Sequence, residues 1–128
     1  RSLGIRVGLA TDVGGGTSYS LLQTLAEAYK VLMLRHQRLN VWRGLWLATL
    51  AGAEALSLDD KIGNFAIGKE ADCVVLDFAA TPVLERRMQV AKNLEERLFA
   101  LMMLGDDRAV VATYLMGKEA WRRHGSVS

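Results

Sequence analysis

One carboxylate in this chain stands where chemistry is usually placed. The run Gly4-Ile5-Arg6-Val7-Gly8-Leu9-Ala10-Thr11-Asp12 is short and apolar, and it delivers Asp12 to its carboxyl end. Val13-Gly14-Gly15-Gly16-Thr17-Ser18 follows at once. Glycines let the backbone turn tightly, and Thr17 or Ser18 is suited to cap a helix beyond the turn. In parallel α/β proteins the carboxyl ends of strands handle ligands and metals. Asp12 can therefore bind a metal, accept a proton, or cap the next helix. Other candidates are few. His36 and His124 are the two histidines, Cys73 is the one cysteine, and there is no His-x-His or close Cys pair. A catalytic zinc takes three protein ligands and an open position, so these residues do not make a metal site by themselves. His36, near a predicted helix end, and His124, in the tail, read as solvent-facing. Cys73 reads as a small buried packing residue.

Those few residues must be positioned by one domain. The 128 residues, 51% of them hydrophobic, suffice for a single core. With 16 basic and 14 acidic residues the net charge is +2, which gives no electrostatic reason to expect nucleic acid or an anionic membrane as partner. Lys118, Arg122 and Arg123 form the densest basic group and read as solvated surface. A single cysteine excludes an internal disulfide framework and fits a cytoplasmic location. No apolar run reaches the ~18 residues of a membrane-spanning helix. There is no signal-peptide pattern, and Arg1-Ser2 reads as a cloning scar or an internal cut.

The pattern predicts a buried strand over 4–12 and a helix over 18–36, with Leu21, Leu25, Ala28 and Leu32 at helical spacing. Asn40 is placed to cap a second helix over 41–56, whose small residues Ala48, Ala51, Gly52, Ala53 and Ala55 allow close approach of a neighbour. A turn-rich stretch follows, punctuated by Gly63 and Gly68, and 71–78 reads as a mostly buried strand. Thr81-Pro82 opens a connection to a third helix over 84–104, which Gly105 ends. A strand over 109–116, a turn at Gly117-Lys118 and a brief return through Trp121 complete the chain. Trp42, Trp46 and Trp121 read as packing residues, and Met88, Met102, Met103 and Met116 as core filler. Asp59, Asp60, Asp106 and Asp107 fall at turns, where aspartate serves the backbone.

Two segments carry a resemblance. Gly8-Leu9-Ala10-Thr11-Asp12-Val13-Gly14-Gly15-Gly16-Thr17-Ser18-Tyr19-Ser20, with Glu27-Ala28-Tyr29-Lys30, resembles the signature after the last barrel strand of guanine deaminases. The segment from Ile62-Gly63-Asn64-Phe65 through Gly68-Lys69-Glu70-Ala71-Asp72-Cys73-Val74-Val75-Leu76-Asp77 resembles the C-terminal sheet region of the wider amidohydrolase superfamily, and Thr113-Tyr114-Leu115-Met116-Gly117-Lys118 its final strand and turn. The resemblance implies an α/β fold: the C-terminal fragment of a (β/α)8 barrel, its last strand and helices, over 1–57, and part of the small β-sandwich domain with an intervening helix over 58–128. It implies a zinc-dependent hydrolase acting on the C–N bond of a cyclic amidine, converting guanine to xanthine and ammonia in purine catabolism. Of that family's zinc ligands only the aspartate has a counterpart here, and it is Asp12. The resemblance makes it both metal ligand and catalytic proton acceptor toward a water whose pKa zinc lowers to ~7. No further cofactor-binding residue is implied.

A barrel needs ~250 residues, so the expectation is an intact parent that binds Zn²⁺ and guanine, and a 128-residue segment that is inactive and binds no metal alone. Its uncovered apolar faces point to a homo-oligomer. Three other readings stay open: another aminohydrolase or chlorohydrolase of the superfamily, a phosphate-binding module built on Gly14-Gly15-Gly16-Thr17, and a noncatalytic interaction domain.

Overall fold

Apolar residues at helical spacing account for the first long element. The computed structural model describes residues 4–124, so Arg1-Ser2 lie outside it. Helix α1 (Leu21–Leu34) buries Leu25 and Ala26 and starts at Ser20, not at Thr17 or Ser18. The Ser18 hydroxyl instead accepts the Ser20 N–H at 2.9 Å, which turns the chain before the helix begins. Helix α2 (Val41–Ala48) starts as expected, with the Asn40 side chain accepting the Arg43 N–H at 2.8 Å.

The expected single helix over 41–56 is two. Thr49 leaves the helical region (φ −131°, ψ −96°), and α3 (Leu50–Ala55) begins after it. The cause is tertiary. In a continuous helix the Leu47 carbonyl would accept from Ala51; here it accepts the N–H of Leu9 at 2.8 Å, and the interruption is fixed from outside.

The expected single helix over 84–104 is also two. Strand β1 (Cys73–Leu76) leads to α4 (Pro82–Val90), with Pro82 at its first turn, and α5 (Leu94–Leu104) follows. Asn93 caps α5 by accepting the Glu96 N–H at 2.9 Å, while the Glu96 carboxylate reaches back to the Lys92 N–H at 2.8 Å. This reciprocal pairing is close to a capping box and starts a new helix with its own axis. Gly105 ends α5 with extended dihedrals, its N–H bonded to the Leu101 carbonyl.

After a 3₁₀ turn (Asp107–Ala109), β2 (Val110–Leu115) and β3 (Lys118–Arg122) complete an antiparallel sheet in the order β1-β2-β3. Cys73 lies opposite Tyr114, and Thr113 opposite Trp121. The hairpin turn is Met116-Gly117, one residue earlier than expected, and both residues have positive φ (51° and 76°). That dihedral pair suits a two-residue connection between twisted strands. It also leaves Met116 exposed instead of in the core. β1 is shorter and less covered than expected: Val74 and Val75 face outward and Cys73 is half-buried, because the sheet has helices against only part of it.

The expected strand over 4–12 forms no ladder among the described residues; its Leu9 N–H bonds to α2 and its Arg6 side chain to α3 instead. Hydrogen bonding, not extended dihedrals alone, makes a strand.

Helix α5 organises the core. Met102 packs with Leu25 and Val41, and Leu9, Leu22, Tyr29, Leu45, Leu98 and Phe99 close around them. Tyr29 and Phe99 meet edge to face at 5.3 Å. One residue back, Leu101 joins Leu84 and Ala109 under Leu76, Phe78 and Met88. Of the tryptophans, Trp42 and Trp121 are about half exposed, and Trp46 lies under the Arg43 guanidinium at 3.9 Å.

Candidate functional site

The backbone of the first segment is docked with few contacts but firm ones. Arg6 donates through its guanidinium to the Glu54 carbonyl at 2.6 Å, and Leu9 donates to the Leu47 carbonyl at 2.8 Å. Between them Gly8 lies against Gly52: a Cβ at position 8 would sit 2.7 Å from the Gly52 Cα. Only glycine at position 8 permits that approach, in keeping with the small-residue stretch expected to admit a neighbour's backbone. The Leu9 side chain meanwhile enters the core beside Leu25 and Met102.

That docking leads directly to Asp12. Its backbone is left-handed (φ 50°), a region aspartate tolerates better than most residues. Its carbonyl accepts two N–H groups at once, from Gly15 at 2.9 Å and from Gly16 at 2.5 Å. Gly14 crosses the turn at φ 95°. The Asp12 side chain is exposed, and among the described residues it has no hydrogen-bond or ion-pair partner. It does not cap α1, whose first residue, Leu21, follows nine positions later and whose N-cap Ser20 makes no side-chain cap bond. A cleft beside the turn is lined by Val13, Gly14, Gly16, Thr17, Ser18 and Tyr19.

The other sequence candidates are placed elsewhere in the fold. His36 follows α1 in the left-handed region (φ 57°), exposed, donating its N–H to the Met33 carbonyl. His124 is exposed beyond β3. Asp106 caps the 3₁₀ turn and grips Arg108 at 2.7 Å, which holds its carboxyl below the usual carboxylate range. Asp107 lies within that turn, and Asp59 and Asp60 in the turn after α3. Among the described residues no three His, Cys, Asp or Glu side chains converge on a point that could hold a metal ion. No helix among them is long and apolar enough to cross a membrane.

The whole-chain pattern decides the relationship. The profile described as the amidohydrolase family matches residues 1–120. The chain belongs to the amidohydrolase family. Within it, this amidohydrolase stretch is guanine deaminase-like. It is 48% identical over 120 residues to the guanine deaminase of Escherichia coli (strain K12), covering 94% of this chain and 27% of that protein. The solved E. coli enzyme superposes with a TM-score of 0.89 over 92% of this chain and 28% of its own, at 49% identity. Guanine deaminase from C. acetobutylicum, solved with guanine in its active site, gives 0.70 over 94% of this chain and 28% of that one, at 25% identity. An adenosine deaminase from Xanthomonas campestris with bound zinc shares the fold, with a TM-score of 0.61 over 77% of this chain and 21% of its own at 24% identity. The chain thus spans little more than a quarter of the length of these guanine deaminases, as a mixed α/β portion of the amidohydrolase fold with a small three-stranded sheet.

Asp12 fits a metal in one respect. Its carboxylate is exposed and has no competing donor among the described residues, so coordination would break no existing bond. The described residues supply no second and third ligand around it.

Proposed function

We infer that this stretch serves a zinc-dependent guanine deaminase, to which it contributes Asp12. The observation that carries the reading is the Asp12 carboxylate, presented on a hydrogen-bonded turn with no ion-pair partner among the described residues, in a chain that follows guanine deaminases along most of its length. In the intact enzyme Asp12 would be one of the groups holding zinc, with the remaining ligands on polypeptide outside these 128 residues. Zinc there supplies a water acidified to a pKa of ~7. With zinc bound, Asp12 would accept that water's proton at a carboxylate oxygen and pass it on, the water oxygen would bond to the ring carbon that bears the amino group, and that group would leave as ammonia after protonation by an acid on polypeptide outside these 128 residues. A carboxylate tied up by an internal donor would be a poorer acceptor, so its lack of a partner suits the task.

The rest of the reading follows from the parent. Residues 1–57 form the last barrel strand and its helices, and 58–128 the C-terminal sandwich portion. The outward side chains of Ile5 and Val7 are then covered by neighbouring barrel strands, and the protein is a cytoplasmic homo-oligomer in purine catabolism. The stretch alone is inactive. The phosphate-module alternative is weakened at its donors: the Gly15 and Gly16 amides already bond to the Asp12 carbonyl, and the Asp12 carboxylate would repel an anion.

Ammonia release from guanine by the full-length protein that carries this stretch tests the reading, with adenine, cytosine and a chlorinated triazine as comparison substrates. Guanine turnover with zinc bound, reduced about 10²–10⁴-fold by Asp12→Asn, is the expected result. Turnover of one of the other substrates but not guanine would transfer the site to a sibling hydrolase. Turnover by the 128-residue chain alone would overturn the one-donor picture.

A further inference from the structure

The turn after Asp12 holds more than a change of direction. A Cβ on Gly15 would lie 2.8 Å from Asp12 Oδ2 and 3.3 Å from its carboxyl carbon, so a side chain there would enter the space the carboxylate occupies. A Cβ on Gly16 would lie 1.8 Å from the Thr11 carbonyl oxygen, so no side chain fits there without moving backbone. Neither glycine is in the left-handed region. At position 16 the backbone itself leaves no room, and at position 15 a Cβ would make the Asp12 carboxylate turn aside.

We propose that Gly15 and Gly16 are positioning residues for Asp12. Gly16 brings its N–H close enough to clamp the Asp12 carbonyl together with Gly15, which sets the residue's backbone. Gly15 leaves open the rotamer in which the carboxylate faces outward over the turn. This assignment rests on the reading of Asp12 as metal ligand and proton acceptor. For a group that must touch both metal and water, a displacement of about 1 Å can cost on the order of 10²-fold in rate.

Three variants of the full-length protein test it, each scored for zinc per chain, kcat, KM and thermal midpoint. Gly15→Ala is the sharp probe, because alanine suits its backbone and its nearest clash is the Asp12 carboxylate. It is expected to lower zinc occupancy and to reduce kcat about 10-fold or more, with KM changed less than about 2-fold and the midpoint little changed. Gly16→Ala, which must displace the Thr11 carbonyl, is expected to do the same more severely; if it does not fold, Gly15→Ala carries the test alone. Gly63→Ala is the stability control, since Gly63 (φ 99°) sits against Ala53 and Leu50 of α3, away from the turn. It should lower the midpoint yet keep zinc and kcat. Wild-type turnover with Gly15→Ala indistinguishable in zinc and kcat would overturn the assignment and leave the deaminase reading standing. A wild type without zinc or guanine turnover would remove both.

Discussion

Asp12 and Asp77 each end an extended segment, and their surroundings set them to opposite uses. Asp77 is engaged on both sides: its carboxylate accepts the Ala79 N–H at 2.7 Å and pairs with Arg123 at 3.0 Å. Arg123 also donates to the Arg108 carbonyl, and its own N–H reaches the Val111 carbonyl, so the pair joins the ends of all three strands. The Ala79 amide first and the Arg123 guanidinium second hold the Asp77 carboxyl below its ordinary 3.8. A lowered folded-state pKa means the unfolded chain takes up the proton first as pH falls. The contribution of Asp77 is therefore complete above the ordinary carboxylate range and is lost as pH drops through the folded value. Asp77→Asn should lower stability in urea more at roughly pH 7 than at roughly pH 3, flattening part of the acid limb. An equal loss at both pH values would mean that the charge is not what matters. Both aspartates were visible as carboxylates in the sequence, but only their neighbours in space separate the structural one from the one left available for chemistry.

At the scale of elements, asparagine and threonine do repeated work. Asn40, Thr81 and Asn93 each accept an N–H three residues on, from Arg43, Leu84 and Glu96. Loss of such a cap costs about 0.5–2 kcal/mol, and serine replaces it well. Asn93→Ala should therefore lower stability by that amount, seen as a lower urea midpoint at unchanged slope, while Asn93→Ser should lower it little; equal effects would argue against the cap. The Asn93-x-x-Glu96 spacing is a helix-start signal that the expectation of one helix over 84–104 left unused, because the apolar stripe runs on through it. The break at Thr49 was not legible, because its cause is a hydrogen bond from Leu9, forty residues earlier in the chain. Local periodicity carries no record of such a partner.

For the molecule as a whole, α5 is the common member of both apolar clusters. Met102 belongs to one and Leu101 to the other, and Leu22 of α1 touches both. Helices from the first part of the chain and the sheet from the second are thereby packed on one helix. They should unfold together, with far-ultraviolet circular dichroism and tryptophan emission giving coincident transitions. Leu84→Ala, at a fully buried position, should shift both probes alike at a cost of about 2–5 kcal/mol. Two separated transitions would mean that the clusters are independent.

The sequence by itself determined that there is an aspartate followed at once by a glycine cluster, and a helix-rich chain of amidohydrolase type. Those are matters of residue identity and spacing along the chain. Tertiary structure decided that the leading segment lies on α2 and α3 through Gly8 and Gly52, that Thr49 and Asn93 divide two helices, and that Gly15 borders the Asp12 carboxylate. Each of these depends on which groups meet across the fold. A hydrogen bond or a missing Cβ acts through space, and periodicity along the chain does not encode distance.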